Sequence, residues 1–186
     1  MYTTQCVVGK IISCLASDDF SSVVVHRDHV YAADCSKNQT EVFRYIKARL
    51  PRWINVISID HTFETKNSAL TLSISCNNRR KCCSAGDDII KVYSLNGMLL
   101  HTHGTRGSDD AGQLHCPYIG DDDDDGSVLI ADWGNDRLQV MSEQGEFSVL
   151  QLQPPVSRPR SAVLFNNQLY VTTARSFSAN IYKALS

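Results

Sequence analysis

A pair of short strand-like segments recurs along this chain of 186 residues, and the recurrence limits the fold more than any other feature. One apolar residue marks each copy, at Val42, Val92, Val140 and Ile181, with spacings of 50, 48 and 41 residues. Helical solenoids repeat every ~33 to 34 residues, whereas the blades of β-propellers repeat every ~40 to 50. The period therefore predicts an all-β fold of repeated sheets.

The first and third copies align without a gap. Asp34 aligns with Asp132 and the marker Val42 aligns with Val140, and both pairs are 98 residues apart. The alignment puts Ser84 of the second copy and Thr173 of the fourth copy at this aspartate position. The sequence thus predicts one domain over residues 1–186, with blade-like copies around residues 23–50, 72–103, 114–150 and 159–185.

The third copy is the most regular. A glycine-rich loop at residues 104–117 precedes it, and residues 128–131 and 137–142 read as two strands around a turn that is rich in Asp, Gly and Asn. The loop pattern Gly-x-x-Gly-x-x-x-x-Gly-x-Leu-x-x-Pro, followed by Ile-Ala-Asp-Trp-Gly-Asn-Asp-Arg-Leu-Gln-Val at residues 130–140, resembles the NHL repeat. It is most similar to the carboxy-terminal propellers of tripartite-motif (TRIM) NHL proteins.

This resemblance implies a β-propeller of four-stranded NHL-type blades, of which about four are visible, the low end of the range for a closed propeller. Family propellers usually have more blades, so a small or partial propeller is expected. The fourth copy lacks an outermost strand, and the apolar segments at residues 6–15 or 20–25 are expected to supply it. The resemblance also implies that Arg137 is structural and bridges turn carbonyls or Asp132.

Composition restricts the function. The formal net charge of −2 gives no overall field that would attract a polyanion. Seven scattered cysteines without a Cys-x-x-Cys pair favour reduced thiols and a cytoplasmic protein. Lys10 interrupts the apolar stretch at residues 6–16, which favours a buried strand over a signal peptide. No run reaches the ~20 apolar residues of a membrane helix, so no membrane partner is expected.

The aspartate run at residues 121–125 stands where a blade normally has its innermost strand. We expect a solvated acidic turn that begins early and shortens this strand. The alternative is a cation site at Asp121, Asp123 and Asp125, because Ca²⁺ prefers carboxylate oxygens. His101 and His103 would share one face of a strand, as metal ligands can. A metal-dependent lyase of the peptide-amidating type is therefore one alternative function, although no cofactor is expected.

Basic residues alternate with aromatic ones in a cluster that could contact RNA, since such surfaces neutralise phosphates and stack bases. Its candidate binding residues are Arg44, Lys47, Arg49, Arg52 and Trp53. Arg106, on the glycine-rich loop, is a further candidate because binding residues concentrate on loops held by a rigid scaffold.

No nucleophile elbow or phosphate loop is present in the sequence, and no small-molecule substrate is evident. The sequence therefore predicts a non-catalytic recognition scaffold with a protein partner, and RNA binding is the first alternative. By resemblance, such a chain would select substrates for a ubiquitin ligase whose RING domain lies elsewhere in a longer protein.

Overall fold

Four antiparallel sheets follow one another along the chain. The computed structural model describes residues 20–26, 29–34, 39–46, 56–64, 71–74, 81–86, 88–122, 125–174 and 179–183. In every sheet the strands pair with their neighbours in chain order, which is the strand order of a propeller blade. The alternation of apolar and polar residues that the repeat predicted gives two distinct faces to strands such as Gln168–Thr173, where Leu169 and Val171 are buried.

The strands of the first two sheets are β1 (Phe20–His26), β2 (His29–Asp34), β3 (Gln39–Ile46), β4 (Val56–Glu64), β5 (Thr71–Ile74), β6 (Lys81–Gly86), β7 (Ile89–Ser94) and β8 (Leu99–His103). A small parallel pair follows, β9 (Thr105–Arg106) with β10 (Gln113–Leu114). The last two sheets contain β11 (Pro117–Asp122), β12 (Val128–Asp132), β13 (Arg137–Met141), β14 (Phe147–Leu150), β15 (Pro159–Phe165), β16 (Gln168–Thr173) and β17 (Ala179–Lys183). A 3₁₀ turn, Trp133–Asn135, connects β12 to β13. No helix among these residues is long and apolar enough to cross a membrane.

Successive sheets pack face to face, and their first strands lie side by side: β1 contacts β5, β5 contacts β11, and β11 contacts β15. Alternate residues of β12 enter two different cores, so all five of its residues are buried. The core between the second and third sheets contains Cys83, Ala85, Ile90, Val92, Leu114, Ile119, Val128, Ile130 and Met141. The core between the third and fourth sheets contains Leu129, Ala131, Leu138, Val156, Ala162, Leu169, Val171 and Tyr182.

Strand pairing corrects one position of the repeat alignment. Ala131 pairs with Leu138, and Asp132 with Arg137, across a four-residue turn. In the second sheet Ala85 pairs with Ile90 and Gly86 with Ile89, across a turn that is two residues shorter. Gly86, and not Ser84, is therefore the counterpart of Asp132. The gap-free alignment was wrong here because it kept the Val92 marker in phase and ignored the deletion in the turn.

The first sheet is longer than residues 23–50. It begins at Phe20 and ends at Glu64, because β4 supplies a fourth strand that the repeat pattern did not show. Residues 20–25 lie in β1, where they pair with β2, so they do not complete the last blade as expected. The other segment proposed for that place, residues 6–15, lies outside the described residues.

The innermost strand of the third sheet is not cut short by its aspartates. β11 runs to Asp122, which pairs with Val128 after an irregularity that follows Ile119. At Gly120 an added Cβ would lie 2.4 Å from the carbonyl oxygen of Ala162 in β15. The early acidic turn was therefore a wrong expectation: the strand continues, and a glycine permits its close approach to the next sheet.

Candidate functional site

Connections from successive sheets gather at one side of the molecule, which we call the loop face. It comprises the turn at Asp88, the loop at residues 104–116, the turn at residues 133–136 and the segment at residues 151–158. In an antiparallel four-stranded sheet, the link between the second and third strands and the link to the next sheet leave from the same end. The topology therefore puts these segments on one surface, although they are far apart in sequence.

The loop at residues 104–116 has an ordered backbone of its own. The Thr105 N–H donates to the Gly112 carbonyl at 2.9 Å, and the Gly107 N–H to the Leu114 carbonyl at 3.2 Å. Leu114 is fully buried in the core between the second and third sheets. Gly104 has a φ of 84°, and an added Cβ would lie 2.6 Å from Leu114 Cδ1. The glycine pattern therefore lets the chain turn tightly over a buried leucine.

Asp132, which is fully buried, is the centre of a hydrogen-bond network beneath this loop. The His115 N–H donates to Oδ1 at 2.8 Å, while Oδ2 accepts from Asn135 Nδ2 at 2.8 Å and from Gln139 Nε2 at 2.9 Å. Arg137 Nε donates to the same oxygen at 3.0 Å. A carboxylate has about four acceptor sites, so the partners satisfy the buried charge.

Arg137 extends this network into the loop. Its Nη1 donates to the Ser108 carbonyl at 3.1 Å, and its Nη2 to the carbonyls of Asp110 and Gln113 at 3.0 and 2.8 Å. The Gly112 N–H in turn donates to Gln139 Oε1 at 2.8 Å. The structural role inferred for Arg137 is confirmed, since its planar fork bridges both Asp132 and turn carbonyls. The loop is fixed through its backbone, which leaves side chains free to face solvent.

A second device joins the second sheet to the third and the third sheet to the fourth, and it was not found from the sequence. The Cys116 N–H donates to Asp88 Oδ1 at 2.7 Å, and the Arg158 N–H donates to Asp136 Oδ1 at 2.6 Å. In both cases the donor and the aspartate have positive φ, and the donor directly precedes the proline that begins the next inner strand. We call these contacts the aspartate clasps. The corrected turn alignment, which pairs Asp88 with Asp136, would have revealed them.

Cationic and aromatic side chains lie over this framework. The Arg106 side chain is 79% exposed, and its Nε lies 3.6 Å from Asp88 Oδ2. The Arg158 guanidinium lies 5.2 Å from the ring centroid of Trp133, within the range of a cation–π contact. His115 is partly exposed, and its carbonyl accepts from the Gly134 N–H at 2.8 Å. The loop face therefore presents two arginines and two rings on a hydrogen-bonded frame.

The structure places one of the predicted binding residues on this face. Arg106 lies there, whereas Arg44 lies on β3 of the first sheet, paired with His29 and Ser58. Lys47, Arg49, Arg52 and Trp53 lie outside the described residues. Trp133 and Arg158 belong to the same surface as Arg106 but were missed, because their contact joins a turn of one sheet to the segment that leads to the next.

The metal candidates do not form a common site in the described part of the chain. The His101 and His103 rings are 5.8 Å apart on β8, and His103 lies against Gly145. Asp121 lies in β11, Asp123 is outside the described residues, and exposed Asp125 accepts a hydrogen bond from the Ser127 N–H at 2.7 Å. Within the described ranges no group of three or more His, Cys, Asp or Glu side chains is placed to hold a metal ion.

Comparison with known proteins defines the class of the fold. No protein-family model and no curated protein matches the chain. Virginiamycin B lyase from Staphylococcus aureus matches with a TM-score of 0.58 and 15% identity, over 89% of this chain and 55% of the other. The Cps50 (Swd1) β-propeller domain from Myceliophteria thermophila matches with a TM-score of 0.55 and 16% identity, over 97% of this chain and 56% of the other. BamB from Moraxella catarrhalis matches with a TM-score of 0.54 and 17% identity, over 82% of this chain and 39% of the other.

The chain therefore has the fold of β-propeller proteins, which confirms the predicted fold class. It spans about half the length of the lyase and of the Swd1 domain. At these identities the similarity establishes the fold alone, and a shared propeller fold does not determine function. Function must therefore be argued from the loop face.

Proposed function

We propose that this chain is a non-catalytic recognition module that binds a protein partner through the loop face. The observation that carries the proposal is the buried Asp132 network, which holds the loop at residues 104–116 by its backbone and leaves Arg106 79% exposed. A loop that is ordered before binding loses little conformational entropy in a complex. A loop whose backbone is fixed presents its side chains from defined positions, which favours recognition.

The chemistry of the exposed groups supports a protein partner. Arginine and tryptophan are enriched among the residues that dominate binding energy at protein interfaces. Arg106 supplies an exposed charge, and Arg158 supplies a half-buried charge that is stacked on Trp133. Their ion pair and cation–π contact are near the surface, so a partner carboxylate can compete for them at little cost. We infer a partner segment with at least one acidic side chain.

The resemblance to TRIM-type NHL propellers extends this proposal. If the chain is part of a longer protein that carries a RING domain, the loop face would select substrates for ubiquitin transfer. The loop pattern at residues 104–117 and the Asp132–Arg137 pair are the residues that support this reading. RNA binding, proposed from the cluster at residues 44–53, gains no support from the described residues and stays a prediction.

Site-specific photocrosslinking in cells tests the proposal. A photoreactive amino acid at Ala111, which is exposed on the loop, should give discrete protein adducts on irradiation. The same group at Asn96, exposed in the turn between β7 and β8 at the opposite end of the second sheet, should not. The combined change Arg106→Gln and Arg158→Asn should remove the adducts, since asparagine still tolerates the positive φ at position 158.

Lys183→Gln is the matched control, because it neutralises an exposed cation on β17 and should leave the adducts unchanged. Adducts that disappear on nuclease treatment would identify RNA as the partner and overturn the proposal. Equal labelling from Ala111 and Asn96 would also contradict it.

A further inference from the structure

Two arginines of the segment that enters the fourth sheet are each stacked on an aromatic ring of the third sheet. The Arg158 guanidinium lies 5.2 Å from the ring centroid of Trp133, and the Arg160 guanidinium lies 5.6 Å from that of Tyr118. We call Arg158 and Arg160 the arginine pair. Trp133 lies in the turn after β12 and Tyr118 lies near the start of β11, so the pair crosses the boundary between the two sheets beside the loop face.

The backbone holds both arginines at this boundary. Arg158 has a φ of 47°, and its N–H donates to Asp136 Oδ1 at 2.6 Å. Arg160 lies where the register between β15 and β16 shifts, between Pro159 and Ser161. A residue at such an irregularity is left out of the strand pairing, and its side chain is aimed differently from those of its neighbours. The two side chains therefore reach the third sheet from positions that the fold defines.

Stacking leaves the hydrogen-bond donors of both guanidiniums unused. In the described part of the chain, neither guanidinium of the arginine pair donates a hydrogen bond to the protein, and neither is paired with a carboxylate. Arg137 differs, because it donates to Asp132 and to loop carbonyls. A ring holds a guanidinium by its flat face, so the N–H groups at the edge stay available to a ligand.

The arginine pair is also accessible. Arg160 is exposed and Arg158 is partly exposed. The acidic side chain bound to this segment, Asp136, has its Oδ1 occupied by the Ser157 hydroxyl and the Arg158 N–H. The boundary thus presents two positive charges and many donors that are in position before any ligand arrives, which is an arrangement suited to an anion.

We propose that the arginine pair binds a phosphorylated side chain of a protein partner. Such a side chain carries about two negative charges at neutral pH and several acceptor oxygens, which matches two guanidinium forks. A single carboxylate has half that charge and would leave one arginine without a counter-charge. The inference rests on the function proposed above, because it identifies the acidic group of that partner.

The rings at this boundary favour a phosphorylated protein over RNA. Single-stranded RNA is bound by aromatic faces on which bases can stack. Tyr118 packs against the core between the third and fourth sheets, and Arg160 lies over its ring. Trp133 likewise has Arg158 over its ring. The rings therefore position the arginines and do not form an open platform for bases.

The probe is a blocked pentapeptide of glycine and alanine with a central phosphoserine. It is titrated into the ¹⁵N-labelled full chain, and the arginine Nε–H signals are followed by NMR, with the two signals of the arginine pair assigned from single substitutions. Both signals should shift together, whereas the signal of Arg137, which already donates to Asp132, should not move. The same peptide with serine should cause no shift, and the one with aspartate should bind about fivefold more weakly.

Substitutions of the arginine pair give the second measurement. Arg160→Gln and Arg158→Asn should each weaken binding of the phosphoserine peptide about fivefold, since each removes one charged pair near the surface. Asparagine is chosen at position 158 because it tolerates positive φ. Lys183→Gln, which removes an exposed cation on β17, should leave the affinity within about twofold.

Four results would overturn the inference: no shift of the arginine pair with the phosphoserine peptide, equal affinity for the aspartate peptide, tighter binding of inorganic phosphate, or tighter binding of a uridine hexanucleotide. The third result would indicate a site for the free ion, and the fourth would indicate RNA.

Phosphatase treatment separates this inference from the loop-face proposal. The chain with the photoreactive group at Ala111 is irradiated in cell lysate that contains either active or inhibited phosphatase, and its protein adducts should be lost only with the active enzyme. Adducts that persist would overturn the phosphate inference and leave the loop-face proposal standing. No adducts in either lysate would contradict the loop-face proposal, whereas the peptide titration would still decide this one.

Discussion

Replacing Asp132 with alanine should be among the most damaging single changes to this fold. The side chain is fully buried and accepts four hydrogen bonds, including one from Arg137, whose side chain is 15% exposed. Its loss leaves a nearly buried guanidinium without a counter-charge and leaves the His115 N–H without its carboxylate acceptor. Removing one member of a buried ion pair costs about 3 to 5 kcal/mol.

The structure places the expected cost within this range. Arg137, Asn135 and Gln139 each keep a backbone carbonyl acceptor on the loop, so their donors are not all orphaned. We therefore expect Asp132→Ala to lower the free energy of unfolding by about 4 kcal/mol. For a chain of this size, that corresponds to a fall in Tm of roughly 8 to 16 °C. Urea and thermal unfolding, followed by circular dichroism, measure both quantities.

Asp109→Ala is the matched control. Asp109 is an exposed aspartate of the same loop whose carboxylate accepts from the neighbouring Ser108 hydroxyl, so its loss should cost less than ~0.5 kcal/mol. The double variant Asp132→Ala with Arg137→Met should be more stable than Asp132→Ala alone, because it no longer contains an unpaired buried charge. If Asp132→Ala unfolds like Asp109→Ala, the network does not stabilise the loop and the reasoning is refuted.

The remaining predictions concern the clasps, the loop and the thiols. Asp136→Ala should lose about 2 kcal/mol in urea unfolding, because the Arg158 N–H loses its acceptor and alanine disfavours positive φ; stability equal to wild type would contradict the clasp. Gly104→Ala should lose more stability than Gly107→Ala in the same assay, since its new Cβ meets buried Leu114 at positive φ, whereas the other meets the movable Gln113 side chain. Iodoacetamide labelling of native protein, mapped by mass spectrometry, should modify partly exposed Cys116 before buried Cys83, and the reverse order would refute this assignment.

The sequence predicted the equivalent strand positions correctly wherever the turn between the two strands keeps the same length from copy to copy. Asp34, Asp132 and Thr173 occupy equivalent positions in the strand register of their sheets, as the alignment predicted. The reason is that the turn between the second and third strands has the same length in these three sheets. The alignment of Ser84 with Asp132 was wrong because the turn of the second sheet is two residues shorter, and a gap-free comparison cannot detect a deletion. The expectation that the aspartates would shorten β11 was wrong for a different reason. A strand can continue through polar residues when the neighbouring strand, here β12, supplies the pairing.

Arg106 was predictable as a binding residue because it lies on a glycine-rich loop, and local sequence identifies such loops. Its surroundings were not predictable in the same way. Trp133 contacts Arg158 across a boundary between sheets, and the Asp136 clasp closes the same boundary. A corrected alignment of the turns would have revealed the clasp, but the contact between Trp133 and Arg158 depends on how one sheet is rotated against the next, which no local pattern encodes.

By itself, the sequence determined the all-β repeat, its period and the special loop before the third sheet, since alternation, turn chemistry and glycine spacing are local properties of the chain. The tertiary structure decided what those elements do together. It brought Asp132 under a loop some 20 residues away in sequence and assembled the loop face from four connections. The physical reason is that burial and hydrogen bonding between sheets depend on packing distances that are fixed only once the sheets meet.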